Sequence, residues 1–331
     1  MAALIEQEHR RHAINEFEDV GALRRMVAEL ADRQHGLRTG EAELVATELG
    51  TNLLRHAAPG GYVLFRGMGD GVELLSVDSG PGMAAFAPTP LVDLDATGLS
   101  AGLASIRRLT TDYDWFSDVN GTVLLARVGG SRPRKSDRWR YGGINVPLGG
   151  EGASGDAWAV TVDRLVAAVV VDGLGHGEQA GLAARAAINE FRQRQVCDPV
   201  EFLYRAHEVM RGTRGGVAGV CVIDPDAGQL AFAGAGNING QIVHGDQKQH
   251  LAATPGALGT QLSAPKVRAQ KYRWSPGSTL IMYSDGIRTG TGFSDYPGLH
   301  GHHPSVIGGI FHRDFTRSTD DATIMVLQDM P

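Results

Sequence analysis

Val171-Asp172-Gly173-Leu174-Gly175-His176-Gly177 decides the reading of this chain. Asp172 closes a run of apolar, β-branched residues from Leu165 to Val171, and a glycine-rich turn follows it. That pattern predicts a buried strand ending in a turn. An acid at the end of a buried strand is costly unless it is paired or holds a metal. Asp285 repeats the arrangement after Thr279-Leu280-Ile281-Met282-Tyr283-Ser284, and Asp320-Asp321 precedes a third apolar run, Ala322 to Leu327. Any one of these acids reads equally well as a turn aspartate. Three strand-end acids far apart in sequence point instead to one hard-cation site assembled by the fold.

Six segments extend the pattern in a fixed order: GDAWAV (155–160), VVDGLGHGEQA (170–180), FAGAGNI (232–238), TPGALG (254–259), YSDGIRT (283–289) and DDATIMV (320–326). Over residues 142–329 they resemble the metal-dependent protein phosphatases of the SpoIIE type, and within these the short RsbX-like members. The resemblance implies an α-β-β-α sandwich with two Mn²⁺ or Mg²⁺ ions. Asp172 would bridge both ions, the Gly173 carbonyl would bind one, and Asp285 and Asp320 would complete the second position. Asp156 would ligate directly or hold metal-bound water, and Asp321 would be a turn or supporting acid. Two divalent cations suit phosphomonoester hydrolysis, because they neutralise the phosphoryl oxygens and lower the pKa of a bound water.

Three features around these motifs keep alternatives open. His176 reads as a general acid or as part of the turn that opens the following helix. Arg214, in RGTRGG (211–216), reads as a substrate-phosphate contact or as a loop residue. His300, His302 and His303 form a cluster that could take zinc or line a surface loop; no cysteine stands near them.

Composition bounds the rest. The 331 residues suggest two domains, and 42% hydrophobic with 21% charged residues describes an ordinary globular protein. A net charge of −6 argues against nucleic acid as the main partner. Two cysteines fit a reducing compartment, the charged first twenty residues lack a signal-peptide core, and the apolar runs are too short for a membrane span. The expectation is a cytoplasmic protein with no membrane partner. SRPRKSDRWR (131–140) is polar and basic, which predicts a linker over 131–141, although its charge could also bind an anion. The expected domains are therefore 1–130 and 142–331.

Before the linker the pattern is α+β, with helices layered on one sheet. A short strand is predicted over 12–17, helices over 19–33 (capped by Asp19) and 39–57 (capped by Thr39), and strands over 61–67, 72–77 and 121–128. The second helix carries Glu48, Asn52 and His56 on one polar stripe beside the apolar stripe Val45, Leu49 and Leu53. The next strand ends in Asp78-Ser79-Gly80-Pro81-Gly82, and Thr97-Gly98-Leu99-Ser100-Ala101-Gly102 opens another helix. Glycines let a backbone approach a ligand closely, and helix-opening amides favour phosphate.

On these residues, 12–128 resemble the GHKL-type ATP-binding fold, in particular serine kinases of the RsbT and RsbW class. The resemblance implies that Asn52 coordinates the Mg²⁺ of bound ATP and that Glu48 orients or deprotonates the attacking hydroxyl. Asp78 would accept the adenine amino group, with Gly80 and Gly82 shaping the base pocket. Gly98, Leu99 and Gly102 would cover the phosphates, and Thr122 would join the base-side water network. The lid, 84–97, carries two prolines and no Lys or Arg. The expectation is a bifunctional kinase and phosphatase acting on STAS-domain antagonist proteins that control a sigma factor or stressosome. The alternatives are a phosphatase with a non-catalytic ATP sensor and an anti-sigma-like binding module; homodimerisation is left open.

Overall fold

The computed structural model describes all residues except 1–3, 6–7, 58–59, 83–97, 131–136, 151, 291 and 331. The lid segment and most of the expected linker lie outside the described residues, and the side chains of Gly98 and Leu99 are not described. The chain forms two compact units. One comprises Met1–Glu8, Asp137–Ser294 and Asp314–Pro331; the other comprises His9–Ser136 and Asp295–Arg313.

The chain opens with β1 (Leu4–Ile5), which belongs to the first unit. The second unit then runs β2 (Arg10–Ile14), α1 (Phe17–Ala31), α2 (Glu41–His56), β3 (Gly61–Gly67), β4 (Gly71–Asp78), α3 (Gly98–Leu109), β5 (Asp112–Asp118) and β6 (Gly121–Gly129). Its sheet is antiparallel throughout, in the order β2-β3-β4-β6-β5. One face carries Val63, Phe65, Val72, Leu74, Leu124, Ala126 and Val128, which pack with Leu23, Val27, Val45 and Leu49 of α1 and α2. Two caps differ from expectation. Asp19 lies inside α1 and accepts the amides of Asn15 (2.8 Å) and Glu16 (3.0 Å). Gly40, at φ 87°, precedes α2 where Thr39 was expected to cap; a glycine reaches that left-handed geometry without strain.

The other sheet face is also covered. Leu75 and Val123 are fully buried, and a side chain on Gly309 would meet both, Val123 at 2.8 Å and Leu75 at 3.3 Å. The unit is thus a sheet clad on both faces, the second by residues 295–313, rather than helices on one face alone.

The first unit continues with β7 (Trp139–Val146), β8 (Asp156–Val162), β9 (Val166–Gly173), α4 (Glu178–Gln193), α5 (Pro199–Met210), β10 (Gly216–Asp224), β11 (Gln229–Ala235), β12 (Asn239–His244), β13 (Gln247–Leu251), β14 (Gln270–Arg273) and β15 (Thr279–Tyr283). After α6 (Pro304–Phe315) it ends in β16 (Ala322–Asp329). β7 begins inside the stretch read as linker, because Trp139 stacks on Trp274 and Arg138 pairs with buried Asp329 at 2.7 Å.

Two sheets form, β1-β8-β9-β10-β11-β14 and β13-β12-β15-β16-β7. Their inner faces meet in a core of Trp158, Val170, Phe232, Leu280, Met282 and Met325. The outer face of the first sheet buries Val169 and Val171 beneath Ala184, Phe191, Phe202 and Leu203 of α4 and α5. Strand residues alternate between the two cores, as the two-residue period of a pleated sheet requires. No helix among the described residues is long and apolar enough to cross a membrane.

Candidate functional site

The strand-end acids converge. Asp156, first residue of β8, is the direct cross-strand partner of Asp172 on β9. The buried Asp156 carboxylate accepts a 2.6 Å bond from the Ser284 hydroxyl, which also accepts the Thr323 amide. Asp321 is buried and accepts the amides of Leu148 and Gly155, both at 2.6 Å. It therefore anchors the turn before β8, while Asp320 is left half-buried beside it. Asp285 follows Ser284 and accepts a 2.7 Å bond from Asn237, in the FAGAGNI motif.

Glycines permit this crowding. A Cβ on Gly286 would lie 1.8 Å from the Asp321 carbonyl, and one on Gly173 would lie 2.1 Å from that of Ala180. Only a residue without a side chain fits either place.

Electrostatics marks the cluster as unbalanced. Burial, then Asp285, Asp320 and Asp321, push Asp172 up to about 7. Asp156 is raised well above the ordinary carboxylate range by burial and by Asp172. Burial also raises Asp320, with Asp285 and Asp321 adding to it. Every charge acting on Asp172 is an acid. Among the described residues, no three His, Cys, Asp or Glu side chains share one ligating point. The donor set nevertheless suits a hard cation, being all oxygen, crowded and without a countercharge on its central acid.

His176 is exposed in the turn before α4, with Gly177 at its N-cap, near enough for its charge to act on Asp320. Arg214 is exposed, and its Nη1 lies 3.1 Å from where a Cβ on Gly175 would stand. Its loop is tied down: Thr213 donates to Met210 through both its amide (3.1 Å) and its hydroxyl (2.6 Å), and the Gly215 carbonyl accepts the Leu174 amide at 2.9 Å. The histidine cluster is not a plain surface loop, because two of its members are engaged with acids of the same unit. His303 is buried, 3.4 Å from Asp112, and accepts the Ser305 amide; His302 pairs with Asp114 at 3.0 Å.

Sequence reasoning missed Ser284 and Asn237. Each sits inside or beside a quoted motif, so polar neighbours of the acids were the available signal.

The second unit contains a cavity of about 280 Å³ lined among others by Asn52, His56, Asp78, Gly82, Leu103 and Thr122. This is near the lower end of small-ligand pockets, about 300 Å³. Half-buried Asp78 uses Oδ1 to accept the amides of Gly80 (2.9 Å) and Thr122 (3.3 Å). Burial raises its pKa, the two amides and Arg313 opposing. Thr122 shares a 2.9 Å hydroxyl bond with Ser117. Gly102 lies on α3, where a Cβ would stand 2.8 Å from Glu48 Oε2 and 3.7 Å from Asn52 Oδ1. Glu48, Asn52, Asp78, Gly80, Gly82, Gly102 and Thr122 are thus gathered in this unit. Gly98 and Leu99 begin α3, with nothing described of their side chains.

Residues 163–292 match the family described as stage II sporulation protein E (SpoIIE), and this stretch is a SpoIIE-type phosphatase domain. A solved structure from work on the bacterial stressosome, a modular system adapted to control secondary messenger signaling, is 28% identical; the alignment covers 58% of this chain and all (100%) of that one, with a TM-score of 0.54. RsbX in complex with magnesium is 20% identical over 59% of this chain and 97% of its own, with a TM-score of 0.50. No curated protein matches the chain. The family match lies wholly C-terminal to residues 12–128.

Proposed function

We propose that this chain is a bifunctional signalling regulator. Its SpoIIE-type domain removes phosphate from phosphoserine or phosphothreonine of a STAS-domain antagonist protein, and its other unit uses ATP to phosphorylate the same class of protein. The observation that carries the phosphatase reading is the convergence of Asp156, Asp172, Asp285 and Asp320 with no basic group acting on Asp172. Asp172, the Gly173 carbonyl, Asp285, Asp320 and Asp156 would hold two Mn²⁺ or Mg²⁺ ions, which supply charge neutralisation and a lowered pKa for bound water.

The chain's own groups do the rest. Asp321 holds the turn before Asp156, Ser284 orients the Asp156 carboxylate, and Asn237 orients that of Asp285. Arg214, held beside Gly175, offers its guanidinium to the substrate phosphate. The test is phosphate release from a phosphorylated STAS protein with Mn²⁺. Asp172→Asn should abolish it, and full activity in that variant or in excess chelator overturns the reading.

The pocket around Asp78 supports an adenine site, with Asp78 accepting the base amino group and Asn52 holding the Mg²⁺ of the nucleotide. Calorimetry should find weakened ATP binding in Asp78→Asn and Asn52→Ala; unchanged affinity in both counts against it. Kinase activity is tested in the Asp172→Asn background, where Glu48→Ala should retain ATP but lose radiolabel transfer to the partner. One observation favours a second reading, a non-catalytic ATP sensor: the α3 backbone at Gly102 abuts the Glu48 carboxylate and leaves it little room. ATP bound without transfer to any STAS protein supports the sensor. The stressosome likeness supports a regulatory protein as the partner.

A further inference from the structure

Between Asp285 and Asp320 the chain leaves one unit, runs through the other as residues 295–313, and returns. Inside the second unit this segment is firmly held. Asp114 accepts the His303 amide at 2.6 Å, Glu73 accepts the Ser305 hydroxyl at 3.1 Å, and Tyr62 and His312 share a 3.1 Å bond. The last residue is Arg313, whose side chain is 2% exposed and lies 3.2 Å from Asp118.

Asp118 is where the wall of the Asp78 cavity is set. Its carbonyl would lie 1.9 Å from a Cβ on Gly82, and a Cβ on Gly121 would lie 2.0 Å from the Asp78 carbonyl. The turns at 78–82 and 118–121 therefore touch backbone to backbone, with no side chain between them. Their relative position fixes Asp78, Gly82 and Thr122, all of which line the cavity. Arg313 holds the 118–121 turn through Asp118, and its charge reaches Asp78.

We propose that Arg313 is a positioning residue for the nucleotide, and that the segment it ends links nucleotide binding to the state of the acid cluster. This rests on the ATP reading of the cavity. The link is the chain itself, fastened by hydrogen bonds: immediately after Arg313, the Phe315 carbonyl accepts the Arg288 amide (2.8 Å), Thr316 bridges Ile287, and the Gly286 carbonyl accepts the Arg317 amide (2.7 Å). The return of the segment is thus fastened to the residues directly after Asp285. A preference of one ligand for a segment conformation must be felt by the other, and equally in both directions.

The experiment uses the full chain with Mg²⁺ and a fluorescent ATP analogue, in wild type, Arg313→Ala, Arg313→Lys and Asp118→Asn. Loss of a charge-assisted brace should weaken analogue binding about tenfold in Arg313→Ala and Asp118→Asn. Arg313→Lys should recover most of it, which a merely structural defect would not do. Calorimetric Mn²⁺ titration, with and without a non-hydrolysable ATP analogue, should show an affinity shift in wild type that Arg313→Ala loses. Wild-type affinity in both Arg313→Ala and Asp118→Asn overturns the positioning role while leaving the ATP reading intact. A Mn²⁺ affinity indifferent to nucleotide in wild type overturns the link. No analogue bound by wild type overturns the ATP reading and this proposal together.

Discussion

Two buried acid sites in this chain have opposite electrostatics. Glu73 is fully buried in β4, yet its carboxylate is held well below the usual range: burial alone would raise it, but Arg66, Arg127 and His9 outweigh that. Arg66 approaches at 2.7 Å, Arg127 at 2.7 Å and His9 at 3.1 Å. Asp156 and Asp172 are raised, first by burial and then by charged neighbours that are acids. The first site carries its own counterions and is complete as folded. The second has no such counterion acting on Asp172, which is the lack that the proposed metal ions would fill. Burial is common to both, so the sign of the neighbouring charge is what separates a structural acid from a ligand-seeking one.

That contrast breaks most sharply at Asp172. Asp172→Asn should cut Mn²⁺-dependent phosphate release by orders of magnitude while leaving the metal-free fold as stable as wild type or more so, since it removes a repelled charge. A large fall in the unfolding midpoint would contradict it. Glu73→Gln should do the reverse. Arg66 and Arg127 would keep their charges in a buried place, at a cost of about 3–5 kcal/mol by denaturant unfolding. A variant as stable as wild type would mean the cluster is not built around Glu73.

Smaller effects sharpen the same line. Ser284→Ala removes the hydroxyl bonded to Asp156 and should weaken Mn²⁺ affinity by roughly 10–100-fold, measured by calorimetry. The smallest is a pH effect. In chelator, Asp172 is raised in the folded state to about 7, against 3.8 for the free group. Between those values the folded state binds more protons than the unfolded chain, so stability should fall as pH rises from about 4 to 7. Glu73 contributes with the opposite sign. Its stabilisation is present above the ordinary value of 4.5 and is lost as pH falls through its lower folded value. Melting scans from pH 5 to 7 should therefore slope downward in wild type and flatten in Asp172→Asn. Identical slopes would remove Asp172 as their cause.

The acid cluster was legible because each member stands at the end of an apolar run, and strand ends are what a two-layer sheet brings together. β9, β15 and β16 were foreseen for the same reason. Glu73 was not. In β4 it alternates with Val72 and Leu74, and Arg66 and Arg127 sit likewise in β3 and β6, so all three read as solvent-facing residues of one-sided strands. Glu73 and Arg66 are buried, and Arg127 is half-buried, because residues 295–313, far along the chain, cover that face: Ser305 bonds both Glu73 and Arg127. No local pattern announces such a distant cover. β13 escaped notice because Gln247-Lys248-Gln249-His250 is polar throughout, and only its pairing with β12 makes it a strand.

The route of residues 295–313 also bears on how this protein can be taken apart. A cut in the basic stretch near 131–136 looks like the obvious way to obtain two working pieces. It would leave the C-terminal piece carrying a strip whose buried residues, among them Ile307 and Ile310, have lost the sheet that shelters them. The N-terminal piece would keep Glu73 and its arginines under an uncovered face. It would also carry away β1, the edge strand paired with β8 at Leu4↔Val160. Neither product is a module in the sense of a bead on a string. The chain is threaded like two stitches of one yarn, and recombination at that boundary, in the laboratory or in a genome, would have to move both threads at once.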